Sequence, residues 1–185
     1  MSKRVLWIDP GEKCGWARAL VDDAGNWTEL RHGITPWRKF VLALYKVQLT
    51  SAESELEAGR WPVPYDLIGY EVFRLYRSHA LQQIGSDMQT SQCIGAIRLI
   101  GWLSGARIAS QGASVKRAAR ASSPAWLKDY LAKFPKSHDE AHDEDALLHL
   151  WQWTFARHDV DPTTHNAQMD LSAKVTIDQG GKDAA

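Results

Sequence analysis

The sequence predicts an α/β protein with a mixed sheet and helices on its faces. Short apolar runs bounded by turn residues read as strands, and other segments carry apolar residues at helical intervals. These elements alternate in the order βββαβαβα, which indicates helices packed on a mixed sheet.

The first strand is Val5-Leu6-Trp7-Ile8, ending at Asp9-Pro10-Gly11. Gly15 to Val21 is the second strand. Asp22-Asp23-Ala24-Gly25-Asn26 is turn chemistry, and Trp27 to Ile34 completes a meander. Pro36 opens a helix expected to run to about Glu57, with Phe40, Leu44, Val47 and Leu56 at helical intervals. Gly59 to Pro64 breaks it. Asp66 to Val72 is the fourth strand, and it too holds an acid at its end, Glu71.

Residues 74–88 read as an irregular excursion or a short helix. Thr90 to Gly105 is a helix with apolar contacts from Ile94, Ile97, Leu99, Ile100 and Leu103. Arg107 to Ser110 is the fifth strand, and Lys116 to Arg120 and Pro124 to Phe134 are short helices. His142 to Arg157 is the final amphipathic helix. Residues 1–157 are expected to form one domain, and 158–185 a polar tail that is extended or disordered.

The 185 residues, 44% hydrophobic and 24% charged, suit a soluble globular protein. No apolar run approaches the roughly 20 residues needed to cross a bilayer, so no membrane partner is expected. Cys14 and Cys93 make neither a disulfide framework nor a paired metal motif, and a cytoplasmic location is the expectation. Net charge is zero but unevenly spread. Residues 74–136 hold ten Lys or Arg against Asp87 and Asp129, whereas 137–185 hold ten acids against three bases. A basic middle beside an acidic end places positive surface around a carboxylate site, or merely gives solvated helix faces of different sign.

Asp9 and Glu71 end two strands. If those strands are adjacent and parallel, both carboxylates project at one edge of the sheet, where open α/β sheets bind ligands. Close carboxylates repel unless a proton or cation sits between them, and such oxygens suit Mg²⁺ or Mn²⁺. A turn residue and a solvated strand end are the plainer alternative. In the last helix, His142 and Asp145 are three apart and share a face, whereas Asp143 and Asp145 diverge. Ala146, Leu150 and Trp153 extend that face toward the sheet. His149 either orients a ligand or is a polar residue at the edge of the packing face. Asp139, Glu140 and Asp143 read as favourable charges near the helix N-terminus.

Asp9-Pro10-Gly11 with Gly15-Trp16-Ala17, then Glu71, then His142-x-x-Asp145-Ala146, resembles the RuvC-like Holliday junction resolvases, above all their bacteriophage versions. The resemblance covers about residues 3–157. It implies the RNase H-like fold, a five-stranded mixed sheet flanked by helices. It also implies that Asp9, Glu71 and Asp145 are metal-binding acids, with His142 where many members carry another aspartate. Gln92 to Arg98 looks like the family's glycine-bearing helix, in which Gly95 would allow close packing on the sheet. Val115-Lys116 resembles a lysine directed at the scissile phosphate, so Lys116 joins the expected catalytic set. The family's following glycine-rich turn is not reproduced in residues 117–123.

The implied activity is hydrolysis of a DNA phosphodiester in a four-way junction, leaving 5′-phosphates, with two Mg²⁺ ions (Mn²⁺ as substitute). Phe73 and Tyr76, flanked by Arg74 and Arg77, are candidates to stack on unpaired bases and hold phosphates. Arg117, Arg120 and Lys128 add to the expected DNA surface. The two-fold symmetry of a junction implies a homodimer, with the Gln92–Gly105 helix as interface by analogy. A phage-encoded chain would act in the host cytoplasm. Three alternatives stand beside this reading: a debranching, flap or RNA-directed nuclease; a catalytically silent module binding branched nucleic acid; and an actin-like or sugar-kinase fold. The last needs a second lobe for which 185 residues leave no room.

Overall fold

The structure is a computed structural model that describes residues 1–50, 64–72, 88–133 and 141–158. Its strands are β1 (Lys3–Asp9), β2 (Lys13–Val21), β3 (Trp27–Pro36), β4 (Leu67–Val72) and β5 (Arg107–Gly112). Its helices are α1 (Trp37–Tyr45), α2 (Gln89–Ser104), α3 (Val115–Ser122), α4 (Ala125–Leu131) and α5 (His142–His158). The five strands form one mixed sheet in the order β3-β2-β1-β4-β5. The β1–β2 and β2–β3 pairs are antiparallel, and β1–β4 and β4–β5 are parallel. Among the described residues, no helix is long and apolar enough to cross a membrane.

Side chains alternate across a strand, so residue parity sorts the core into two layers. Val5, Trp7, Ala17, Ala19, Val21 and Leu67 face one side and pack with Leu127, Ala146, Leu147, Leu150 and Trp151 from the helices α4 and α5. Leu6, Ile8, Cys14, Ile68 and Tyr70 face the other, against Phe40, Leu44, Cys93, Ile97 and Ile100 of α1 and α2. Both faces of β1 are therefore covered, which is why its sequence is a continuous apolar run rather than an alternating one. Each fully buried Leu or Ile stabilises the fold by about 1.5–3 kcal/mol.

Several expectations need correction. The helix after Pro36 leaves α geometry at Tyr45 and continues as a π turn over Lys46–Thr50. The wider turn buries two consecutive residues, Val47 and Gln48, which α spacing would send to different faces. Gln48 bonds the backbone of Tyr65, accepting from its N–H at 2.5 Å and donating to its carbonyl at 3.3 Å. The stretch expected to be helical beyond Thr50 lies outside the described residues. In α2 the buried stripe is Cys93, Ile97, Ile100 and Gly101, while Leu99 and Leu103 stand in solvent. Gly95 is not the packing glycine: a Cβ there would meet nothing within 4 Å, whereas one on Gly101 would fall 2.1 Å from Ile108.

On the other layer, the buried surface of α5 is wider than a single stripe. Leu147, Leu148 and Trp151 are buried along with Ala146 and Leu150, and Trp153 is partly so. Trp27, Trp126 and Trp151 meet edge to face with centroids 5.9–6.5 Å apart. The Trp27 indole N–H donates to Thr154 at 3.0 Å, tying α5 to β3.

Candidate metal centre

The parallel register pairs Ile8 with Tyr70, so Asp9 and Glu71 follow side by side at the ends of neighbouring strands. Both have the parity that faces α5. The first turn of that helix lies directly on β2 at Gly15, where an ideal Cβ would sit 2.0 Å from the His142 carbonyl oxygen. Only a residue without a side chain lets the helix come this close. Asp145 thereby joins the two strand acids, and one oxygen from each of Asp9, Glu71 and Asp145 lies within 4.8 Å of the others.

Two cationic groups balance this charge. Lys116, on the first turn of α3, places Nζ 2.7 Å from Asp145 Oδ2 and 3.0 Å from Glu71 Oε2. His142 Nδ1 lies 2.6 Å from Asp9 Oδ2. Burial pushes the Asp9 carboxyl up; the His142 bond works against this, and the Glu71 charge adds to the rise. Glu71 is also buried, but bonds from His149 and Lys116 outweigh that and hold it below its ordinary range. The bond to Asp9 raises His142, and the Lys116 ammonium is raised because its two acids outweigh its burial.

Three carboxylates at this range could form a donor set for a hard divalent cation, with the His142 imidazole bonded to one of them. An ammonium already bridges two of the acids, which marks the position as one where positive charge is stabilised. Asp9, Glu71 and Asp145 are the residues that could hold such an ion.

Protons compete with a cation for this set. His142 binds its proton more tightly than an ordinary imidazole, whose value is about 6.5, so it stays protonated further up the pH scale. The stability it lends the metal-free fold is complete below the unfolded value and is lost as pH rises through the folded one. The affinity of a cation held beside His142 would run the opposite way. Calorimetric Mn²⁺ titrations across neutral pH are expected to show binding that tightens as pH rises through the His142 transition, and the slope should flatten in His142→Asn.

No protein-family model matches the chain, and no curated protein sequence matches it significantly. Solved structures do. Thermus thermophilus RuvC in complex with a Holliday junction substrate superposes with a TM-score of 0.54 at 16% identity, covering 83% of this chain and 95% of that one. The yeast mitochondrial Holliday junction resolvase Ydc2 gives 0.52 at 12% identity, covering 88% and 83%. The fold is RNase H-like.

Within this RNase H-like fold, Asp9, Glu71, Asp145, His142 and Lys116 come together, as the sequence led us to expect. Arg120 lies nearby, but its guanidinium is 2.8 Å from Glu144 and 3.9 Å from Asp145. Arg117 and Lys128 are exposed. Phe73, Arg74, Tyr76 and Arg77 lie outside the described residues, as do Asp139 and Glu140. Asp143 diverges from Asp145 as its spacing requires, yet it is no solvated helix-end charge. It is buried, with Oδ2 2.6 Å from His32 Nδ1, and His32 Nε2 is 2.6 Å from the Tyr130 hydroxyl. Burial, then the Asp143 charge, pushes Tyr130 up to about 12, so it stays protonated.

This chain of β3, α4 and α5 groups anchors the helix turn that carries His142 and Asp145, and sequence reasoning missed it. His149 resolves the other way from its plainer reading. It is fully buried and bonded to Glu71, with Nε2 3.0 Å from Oε2. Its spacing of four from Asp145 was the signal; the parity of Gln111 on β5, shared with Glu71, was another.

Proposed function

We propose that the chain is a divalent-metal-dependent endonuclease that resolves four-way DNA junctions, leaving 5′-phosphates. The observation that carries this reading is the convergence of Asp9, Glu71 and Asp145 from β1, β4 and α5 on an RNase H-like sheet. The likeness to a RuvC structure bound to a Holliday junction supports the choice of substrate.

Asp9, Glu71, Asp145 and His142 would hold two Mg²⁺ ions, with Mn²⁺ as substitute. Ions of this kind supply an activated water at neutral pH and stabilise a leaving oxygen. The four residues fix the site against the scissile phosphate, and no protein nucleophile is required. Lys116, beside Glu71 and Asp145, would offset negative charge developing on the phosphate. Arg117, Arg120 and Lys128 continue the basic flank along the DNA backbone, and residues 73–77 supply stacking and phosphate contacts at the junction centre.

Paired cuts in a two-fold symmetric junction call for two such sites, hence a homodimer with an isologous interface. The outer face of α2 suits it: Leu99, Trp102 and Leu103 are 53%, 77% and 56% exposed on consecutive turns.

The test is cleavage of labelled four-way junction, fork, flap, duplex and RNA–DNA hybrid substrates with Mg²⁺ or Mn²⁺, with chelator as control. Metal-dependent, paired cutting of the junction in preference to the others is expected. Preferential cutting of a flap or hybrid would overturn the substrate assignment. Junction binding without cutting of any substrate would overturn the enzyme.

A further inference from the structure

Glu71 is held by groups that take no part in the reading above. His149, in the middle of α5, lies between two acceptor-bearing side chains: Nε2 is 3.0 Å from Glu71 Oε2, and Nδ1 is 2.8 Å from Gln111 Oε1. Its ring stacks on the indole of Trp7, with centroids 5.7 Å apart and planes 14° from parallel. Trp7 is itself fully buried and lies over Gly69, where a Cβ would fall 2.4 Å from the indole. Trp7 on β1 pairs with Gly69 on β4, Gln111 on β5 pairs with Glu71, and all four have the parity that faces α5.

The direction of the hydrogen bond follows from lone pairs. A bare ring nitrogen facing a carboxylate oxygen would set lone pair against lone pair, so Nε2 carries a hydrogen and donates it to Glu71. Gln111 is compatible with this in either amide orientation. Its oxygen accepts from an Nδ1–H, or its NH₂, turned over, donates to a bare Nδ1. In both cases Nε2–H is the donor to Oε2. Lys116 uses the same oxygen, at 3.0 Å. The two donors meet on the one oxygen, Oε2. They differ in stiffness: the lysine ends a flexible four-carbon stem, whereas the imidazole is clamped between an indole and an amide.

We infer that His149 is a positioning residue for the metal centre: its Nε2–H, aligned by Gln111 and by stacking on Trp7, fixes the Glu71 carboxylate before a cation arrives. This rests on the metal-site reading above. Partners that orient a metal-binding carboxylate contribute about 10–100-fold to metal affinity when measured by their removal.

Mn²⁺ binding to the full chain, measured by calorimetry beside melting temperatures, tests the inference. His149→Leu, which keeps bulk and loses the donor, is expected to bind Mn²⁺ about 10–100-fold more weakly. His149→Gln retains an N–H and should recover most of that loss. Gln111→Leu frees the imidazole to turn and should weaken binding in the same direction; it carries the test if His149→Leu does not fold. Equal affinity in the folded Leu variants and the unmodified chain would overturn the inference, as would an equal loss in His149→Leu and His149→Gln. No Mn²⁺ binding by the unmodified chain would instead overturn the metal site itself.

Discussion

Asp9→Asn is expected to abolish metal-dependent junction cleavage, by at least on the order of 10²–10³-fold, the scale on which loss of one transition-state-stabilising group acts. The amide keeps the shape of the side chain and removes its charge, so folding and junction binding should persist. The stability effect has a definite sign. The Asp9 carboxyl is raised chiefly by burial, so its ionised form opposes folding at neutral pH. Neutralising it removes that cost, although the His142 ring loses its charged partner. The melting temperature without metal should therefore hold or rise while cleavage is lost, as at sites that sacrifice stability for function. Asp145→Asn should be equally inactive but less stable, because it removes the opposite charge from the shortest ion pair of the half-buried Lys116. Full activity in both variants, assayed on a synthetic four-way junction, would sink the assignment.

Gly15→Ala should be the most damaging single-methyl change near the site. The new Cβ would meet the His142 carbonyl oxygen at 2.0 Å, its carbon at 2.1 Å and the Asp143 nitrogen at 2.6 Å. These are backbone atoms of the first helix turn, so no rotamer change relieves the clash. Either β2 or the start of α5 must shift. Overpacking of this kind costs about 1–3 kcal/mol or more, a fall of roughly 5 °C or beyond in melting temperature. The shift also carries His142 and Asp145 away from Asp9. A misplacement of about 1 Å is enough to reduce catalysis on the order of 10²-fold. Gly95→Ala is the control: its methyl enters open space on an exposed helix face and should be neutral or mildly stabilising. Thermal melts of the two variants, side by side, and junction cleavage by Gly15→Ala decide the matter; a Gly15→Ala chain with unchanged melting and activity would refute the contact.

The three acids were legible because each lies where a simple periodicity speaks. Asp9 and Glu71 terminate apolar strands, and helical spacing selects Asp145 over Asp143. The β1–β4 pairing needed only to be parallel and adjacent. The groups around them were harder to read. His32, Tyr130 and Asp143 come from β3, α4 and α5, and no local pattern links residues 98 and 111 positions apart. Burial of Asp143 depends on that distant partner, so helix-end electrostatics alone gave the wrong environment.

The glycines of α2 teach a different lesson. Cys93, Ile97, Ile100 and Gly101 form one stripe at helical intervals, to which Gly95 does not belong. Extending the apolar stripe identifies the packing glycine; matching a motif misplaced it. The π turn after Tyr45 had no comparable signal, since Gln48 is buried beside Val47 through bonds to the distant Tyr65 and Ser104.

The division of the core by strand parity separates two kinds of heritable change. Asp9, Glu71, Gln111 and Asp145 of α5 lie on one side of the sheet, while α2 packs on the other. Substitutions at Leu99, Trp102 or Leu103 can alter what the chain associates with while the acid cluster keeps its packing. Changes in β1 have no such independence, because each residue inserted or deleted there exchanges the two layers. Drift can therefore accumulate on the outer helix, while the central strand is expected to admit substitutions of side chain but not of length.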